Sequence, residues 1–148
     1  MKEDKRIEKL SNQPVWLVDY FPERVPADNK GQYFQIEEYL LGARGARRHT
    51  RSVMRMLLTV NAYYQMDVRA EEKWHSNPKP AKLEKWLLQM FSRARGTMTI
   101  FVPETESLIY IDGGDLYLTI HSSHEHLLKL ISQIAAAEGM FFRKAEED

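Results

Sequence analysis

The sequence predicts a single α+β domain spanning residues 1–148, with an N-terminal strand and helices followed by a three-stranded antiparallel meander and a C-terminal helix. Three observations support this class. Apolar residues recur at helical spacing over residues 46–66 and again over 80–95. Short β-branched and aromatic segments separated by turn residues occupy the last third of the chain. The length, 148 residues, suits one domain, since domains commonly have about 100–200 residues.

The N-terminal quarter is predicted to contain a strand between two helical segments. Residues 1–12 form a charged, helical lead-in. Residues 15–21 are apolar and β-branched and end at Pro22, which favours a strand. Prolines and turn-forming residues then predict a loop, and the spacing of apolar residues over 32–41 predicts a helix, although strand-like alternation also fits that segment.

The middle of the chain is predicted to form two amphipathic helices. The first runs from Ala46 to Met66 with one buried stripe, and residues 69–74 either extend it or form a separate turn. The second starts at Pro80, a residue favoured in the first helical position, and stops at Gly96. The apolar residues of the first stripe are Val53, Met56, Leu57, Val60, Tyr63 and Tyr64.

The last third is predicted to form a meander, a helix and a short strand. The turn residues Asp112-Gly113-Gly114-Asp115 predict a tight turn, because glycine accepts a positive φ. A capping box formed by Ser122 and Glu125, or a cap at Ser123, starts the helix. The predicted elements are strands over 97–102, 107–111 and 116–120, a helix over 123–138, a strand over 140–142 and a solvated tail over 143–148.

Composition excludes several classes of function. The chain has 21 basic and 21 acidic residues, so no global field draws it to nucleic acid or to an acidic membrane. It has no cysteine, which excludes disulfides, thiolate metal sites and cysteine nucleophiles. Neither a signal peptide nor a membrane-spanning segment is apparent, which predicts a cytoplasmic location. No phosphate-binding or dinucleotide-binding glycine motif occurs, and no cofactor is predicted.

An arginine stripe stands out in the first amphipathic helix. No acidic residue occurs between Glu38 and Asp67. At 3.6 residues per turn the arginines of this gap fall within a sector of about 100° opposite the apolar stripe. Like charges four residues apart repel, and positive charge at a helix start opposes the macrodipole. The stripe comprises Arg44, Arg47, Arg48, Arg51 and Arg55.

These arginines predict an anion-binding surface. Guanidinium groups bind carboxylates and phosphates through paired hydrogen bonds, so an anionic ligand or an acidic protein partner is the expected counterpart. The neutral total charge disfavours nucleic acid. The alternative interpretation is a solvated face, or one neutralised within the chain by Glu37, Glu38, Glu71 or Glu72.

Histidines near the end of the third predicted strand suggest a second type of chemistry. His121, His124 and His126 lie within six residues, as they would in a metal or acid–base site. On a helix, however, His124 and His126 point about 200° apart and cannot hold one ion. A further ligand would have to come from Asp112 or Asp115, and no metal site is predicted.

The remaining candidates are weaker than the arginine stripe. Asp19, within an apolar strand, is expected to face solvent, and the aromatic residues around Trp16 and Tyr33 are expected to belong to the core. The leading hypothesis is a non-enzymatic binding or regulatory domain that uses the arginine stripe. The rivals are a small hydrolase or metal-assisted enzyme built on His121, His124 and Asp112, and a structural homo-oligomer that buries aromatics against a copy of itself.

Overall fold

The computed structural model describes residues 2–42 and 44–145, without the side chains of residues 2–4 and 6. Five α-helices, one short 3₁₀ helix and seven strands are formed by these residues. Their order is α1 (Lys2–Leu10), β1 (Val15–Asp19), α2 (Gln32–Leu41), α3 (Gly45–Tyr63), β2 (Asp67–Ala70), β3 (Lys73–Ser76), α4 (Pro80–Arg93), β4 (Thr97–Val102), the 3₁₀ helix (Pro103–Thr105), β5 (Ser107–Asp112), β6 (Leu118–His121), α5 (Glu125–Ala137) and β7 (Phe141–Lys144).

The strands form one antiparallel sheet in the order β3-β2-β4-β5-β6-β1-β7. The predicted α+β class is confirmed. The topology differs from the prediction, because the three strands of the predicted meander, β4, β5 and β6, are part of a seven-stranded sheet. The meander lies in the middle of the sheet. The first strand, β1, enters the sheet between β6 and the last strand, β7.

Side-chain alternation gives the sheet two different faces. Helices α3, α4 and α5 cover one face, with α3 in contact with both of the others. A registered row of apolar residues crosses that face from β2 to β6, and the whole row is buried. Its members are Val68, Ile100, Ile109 and Ile120. Helix α1 covers part of the opposite face, where Ile7 and Leu10 pack with Phe101 and Leu108.

The hairpin formed by β2 and β3 differs from the prediction of a helix extension or a separate turn. Glu71 and Glu72, which connect the strands, have φ angles of 53° and 63°. Such left-handed turn residues join hairpin strands well, but the usual sequences contain Asn-Gly or Asp-Gly. The sequence Glu71-Glu72 is not one of these, so it does not indicate a hairpin. Pairing of β2 with the central strand β4 stabilises the hairpin, and that contact is not local in sequence.

Gly113 is required for a reason that differs from the predicted one. The described glycines with positive φ are Gly31, Gly96 and Gly139, so the turn after β5 does not use a left-handed glycine. Instead, a Cβ atom at Gly113 would lie 2.3 Å from the carbonyl oxygen of Arg95. The glycine allows the turn to pack against the end of α4.

We expect Gly113→Ala to lower the free energy of unfolding by about 1–3 kcal/mol, the usual cost of inserting a methyl group into filled space. Urea unfolding followed by tryptophan fluorescence measures this loss. Gly114→Ala is the matched control, because a Cβ there would lie no closer than 3.2 Å to its neighbours. Equal losses in both variants would contradict this account of the turn.

None of the helices described is long and apolar enough to cross a membrane.

Candidate functional site

The arginine stripe occupies the solvent-facing strip of α3. Buried residues occupy the remaining circumference of the helix, which packs on the sheet and on its helical neighbours. Arg47, Arg48, Arg51 and Arg55 are exposed, and at 100° per residue they share the sector of about 100° that the sequence predicts. Arg44 is also exposed but precedes the helix, as its N-cap residue.

Three of these arginines line a groove between α3 and α4. Arg47, Arg51 and Arg55 follow one another at intervals of four residues, or about 6 Å along the helix axis. The groove has a volume of about 700 Å³. Its other lining residues are mainly apolar and include Glu84 as the acidic member: Thr50, Met54, Leu58, Pro80, Ala81, Glu84 and Leu88. Arg44 and Arg48 lie outside this lining.

One of the five arginines has an acidic partner within the molecule. The Nη1 of Arg55 donates to Oε2 of Glu138, just after α5, at 2.7 Å. Within residues 2–42 and 44–145, the other four arginines form no ion pair. The alternative partners considered from the sequence, Glu37, Glu38, Glu71 and Glu72, therefore do not neutralise the stripe.

The structure separates the residues of the rival enzymatic hypothesis. His121 ends β6 and is in register with Leu108, near the start of β5, whereas Asp112 ends β5. Four residues of strand, about 13 Å, separate Leu108 from Asp112. The described part of the chain contains no group of three histidine, aspartate or glutamate residues placed to hold a metal ion. Burial lowers the pKa of His121, which favours the neutral form of its ring.

The other two histidines have structural contacts around the start of α5. The backbone N–H of Leu127 donates to Nδ1 of His124, which caps the helix. His126 forms a hydrogen bond through Nδ1 with the hydroxyl of Tyr64, which follows α3. The second of these contacts joins the end of α3 to the start of α5.

The predicted cap at Ser122 or Ser123 is wrong. Ser122 is completely buried, and its hydroxyl lies 2.6 Å from that of Ser107 on β5. The same oxygen accepts a hydrogen bond from the backbone N–H of His124. Because these contacts occupy the Ser122 hydroxyl in the protein interior, the helix begins later and His124 caps it.

Two charged residues differ from their predicted environments. Asp19, expected to face solvent, is only 4% exposed. Arg143, assigned to the solvated tail, lies in β7, and its Nη2 donates to Oδ2 of Asp19 at 3.1 Å. A carboxylate within an apolar strand was the available sign of burial, but its partner lies 124 residues away.

The fold and the groove define an α+β domain with one antiparallel sheet, a helical layer on one face and a basic interhelical groove on its surface. Comparisons of the chain with protein-family models, with curated proteins and with solved structures find no match.

Proposed function

We propose that this chain is a non-enzymatic binding domain that holds an acidic segment of a partner protein in the groove between α3 and α4. The observation that carries the proposal is the regular row of Arg47, Arg51 and Arg55 beside an apolar surface. A row of cations along such a surface complements a segment with acidic residues on one side and apolar residues on another.

The charges of the stripe favour an external acidic partner. Neighbouring arginines four residues apart repel, at a cost of about 0.2–0.5 kcal/mol per pair in an isolated helix. A carboxylate bound between two such arginines replaces repulsion with attraction and accepts paired hydrogen bonds from a guanidinium. Arg47 and Arg51 are exposed and have no acidic partner within the described residues, so both are available for this contact.

The shape and lining of the groove favour a peptide over a nucleic acid. Met54, Leu58 and Leu88 provide apolar contacts for the side chains of a docked helix, which anchors itself through residues three and four apart. No aromatic residue is among the groove-lining residues described, so bases would lack stacking partners. Glu84 would also repel a phosphate backbone.

A labelled model peptide tests the proposal. The probe is a fluorescein-labelled 15-residue helix-forming peptide with glutamates on one face and leucines on the adjoining face. We expect Arg47→Glu/Arg51→Glu to weaken its binding, measured by fluorescence anisotropy, by at least about tenfold, since charge reversal turns attraction into repulsion. Binding to the unaltered protein should also weaken between about 50 and 200 mM salt.

The matched control is Lys85→Glu/Lys129→Glu, which changes the net charge by the same amount at exposed helix positions outside the groove. We expect this control to retain at least about half of the affinity, because distant surface charges are screened. Failure of the unaltered protein to bind the peptide, or equal losses in the two double variants, would refute the groove as the binding site.

A further inference from the structure

Helix α2 presents a largely uncovered surface that is both apolar and acidic. Of its ten residues, only Leu41 is buried. Phe34 and Tyr39 are 70% and 80% exposed, and Glu38 beside them is also exposed. At 100° per residue Phe34, Glu38 and Tyr39 fall within a sector of about 140°. These three residues are called the α2 face below.

Exposed apolar side chains are concentrated on α2 and in the arginine groove. The described chain has seven large apolar residues that are exposed. Three of them, Phe34, Ile36 and Tyr39, belong to the short helix α2, and a fourth, Leu58, lines the groove between α3 and α4. Contiguous apolar residues rimmed by polar ones are typical of protein interaction sites. Both surfaces therefore have the character of an interface.

The unpaired charges of the two surfaces are opposite. Helix α2 contains Glu37 and Glu38 and has no lysine or arginine. Neither glutamate forms an ion pair within residues 2–42 and 44–145. In the groove, Arg47 and Arg51 likewise have no acidic partner in that part of the chain. Each surface thus offers the charge that would neutralise the other.

The lengths of the two surfaces also agree. The ten residues of α2 form a helix about 15 Å long, at 1.5 Å per residue. The arginine row from Arg47 to Arg55 extends about 12 Å along α3. Phe34 and Glu38 are four residues apart, which is the spacing that a helix uses when it docks in a groove. One copy of α2 can therefore lie along the whole row.

The α2 helix of the same molecule does not occupy this groove. No α2 residue is among the described groove-lining residues. Because α2 ends at Leu41 and α3 begins at Gly45, the short connection holds α2 beside the start of α3. The face and the groove are therefore both exposed on one molecule. The chain has no net charge, so two copies can approach each other without long-range repulsion.

We propose that the α2 face docks into the arginine groove of a second copy of this chain. This inference rests on the proposed function, because it identifies the acidic partner segment as α2 itself. Glu38 binds between Arg47 and Arg51 of the second copy, and Phe34 and Tyr39 pack on the apolar wall and on the planes of the guanidinium groups. The contact is head-to-tail, since each copy contributes a different surface at either end.

Sedimentation velocity of the full chain tests whether copies associate. A ten-residue helix buries less than a standard interface, so association should be weak and visible at protein concentrations of about 10–500 μM. We expect the sedimentation coefficient to rise over this range for the unaltered protein. It should stay at the monomer value for the groove variant, Arg47→Glu/Arg51→Glu, and for the α2 variant, Glu38→Lys/Tyr39→Ala.

The matched control is Glu8→Lys/Tyr63→Ala, which makes the same two changes at exposed helix positions outside both surfaces. It should associate as the unaltered protein does. Circular dichroism verifies that all variants are folded, and the α2 substitutions lie at exposed positions where side-chain changes usually alter stability by no more than about 0.5 kcal/mol.

An equimolar mixture of the groove variant and the α2 variant tests the head-to-tail arrangement. The groove variant keeps its α2 face and the α2 variant keeps its groove, so one intact contact can form between them. We expect the mixture to form dimers and no larger species, although each variant alone is a monomer. A contact between two α2 faces would instead leave the groove variant able to associate by itself.

Three results would overturn the inference: an unaltered protein that stays monomeric throughout, a groove variant that still associates, or a mixture that forms no dimer. The labelled model peptide separates this inference from the proposed function. The α2 variant has an intact groove and should bind that peptide as tightly as the unaltered protein does. A chain that binds the peptide and yet stays monomeric would reject α2 as the partner segment and leave the binding function of the groove in place.

Discussion

Asp19→Ala should lower the free energy of unfolding by about 3–5 kcal/mol, the usual loss when one partner of a buried ion pair is removed. The Arg143 side chain is only 16% exposed. Without Asp19 its guanidinium would be a largely buried charge with no carboxylate to compensate it. Urea unfolding followed by tryptophan fluorescence measures the effect. Asp28→Ala, at an exposed position in the loop after β1, should change stability by less than about 0.5 kcal/mol.

A double variant separates the ion pair from general damage to the sheet. In Asp19→Leu/Arg143→Met no charge is left buried, so most of the stability lost in Asp19→Ala should return. A double variant as unstable as Asp19→Ala would show that the shape of the strand pair, rather than the uncompensated charge, causes the loss.

Acidification should destabilise the protein through His49 on α3. This ring is 2% exposed, packs edge-on against Phe91 at 4.3 Å and forms a 2.6 Å hydrogen bond through Nδ1 with the hydroxyl of Tyr20. Its Nε2 has no partner among the described residues. Burial lowers the pKa of His49 from 6.5 to about 4.

The pKa difference sets the direction and the pH range of the effect. Between pH 6.5 and pH 4 the unfolded chain binds a proton at His49 and the folded chain does not. The free energy of unfolding therefore falls as the pH falls. The contribution is complete above pH 6.5 and decreases by about 3 kcal/mol by pH 4, at 1.36 kcal/mol per pKa unit.

The measurement is urea unfolding at several pH values for the unaltered protein and for His49→Gln. Glutamine has a similar size and does not titrate, so the variant should lack this part of the pH dependence. His126→Gln, at an exposed position on α5, is the control and should retain it. Identical pH profiles for the unaltered protein and His49→Gln would exclude His49 as the source of the acid sensitivity.

The candidate groove could be predicted in part. The arginines were identified from their spacing, because residues of one helix share a face whenever the 3.6-residue period places them there. The opposite wall could not be identified. Pro80, Ala81, Glu84 and Leu88 belong to α4, and only helix packing brings them beside Arg47 and Arg51. The cavity lined by Leu17, Asp19, Tyr117 and Arg143 could not be identified for the same reason, since it combines β1 and β7 with the β5–β6 connection.

The sequence by itself determined the elements whose pattern is local: the amphipathic helices α3, α4 and α5, the strands of the meander, and the exposed arginine face. The spacing of apolar residues, the turn residues and the residues at helix ends are all defined by a few neighbouring positions. They can therefore be recognised without knowledge of the fold. Tertiary structure alone decided the β2–β3 hairpin, the insertion of β1 beside β7 and the burial of Asp19. Each of these depends on residues distant in sequence, such as Arg143 for Asp19, whose contact energies are gained only when the complete sheet assembles.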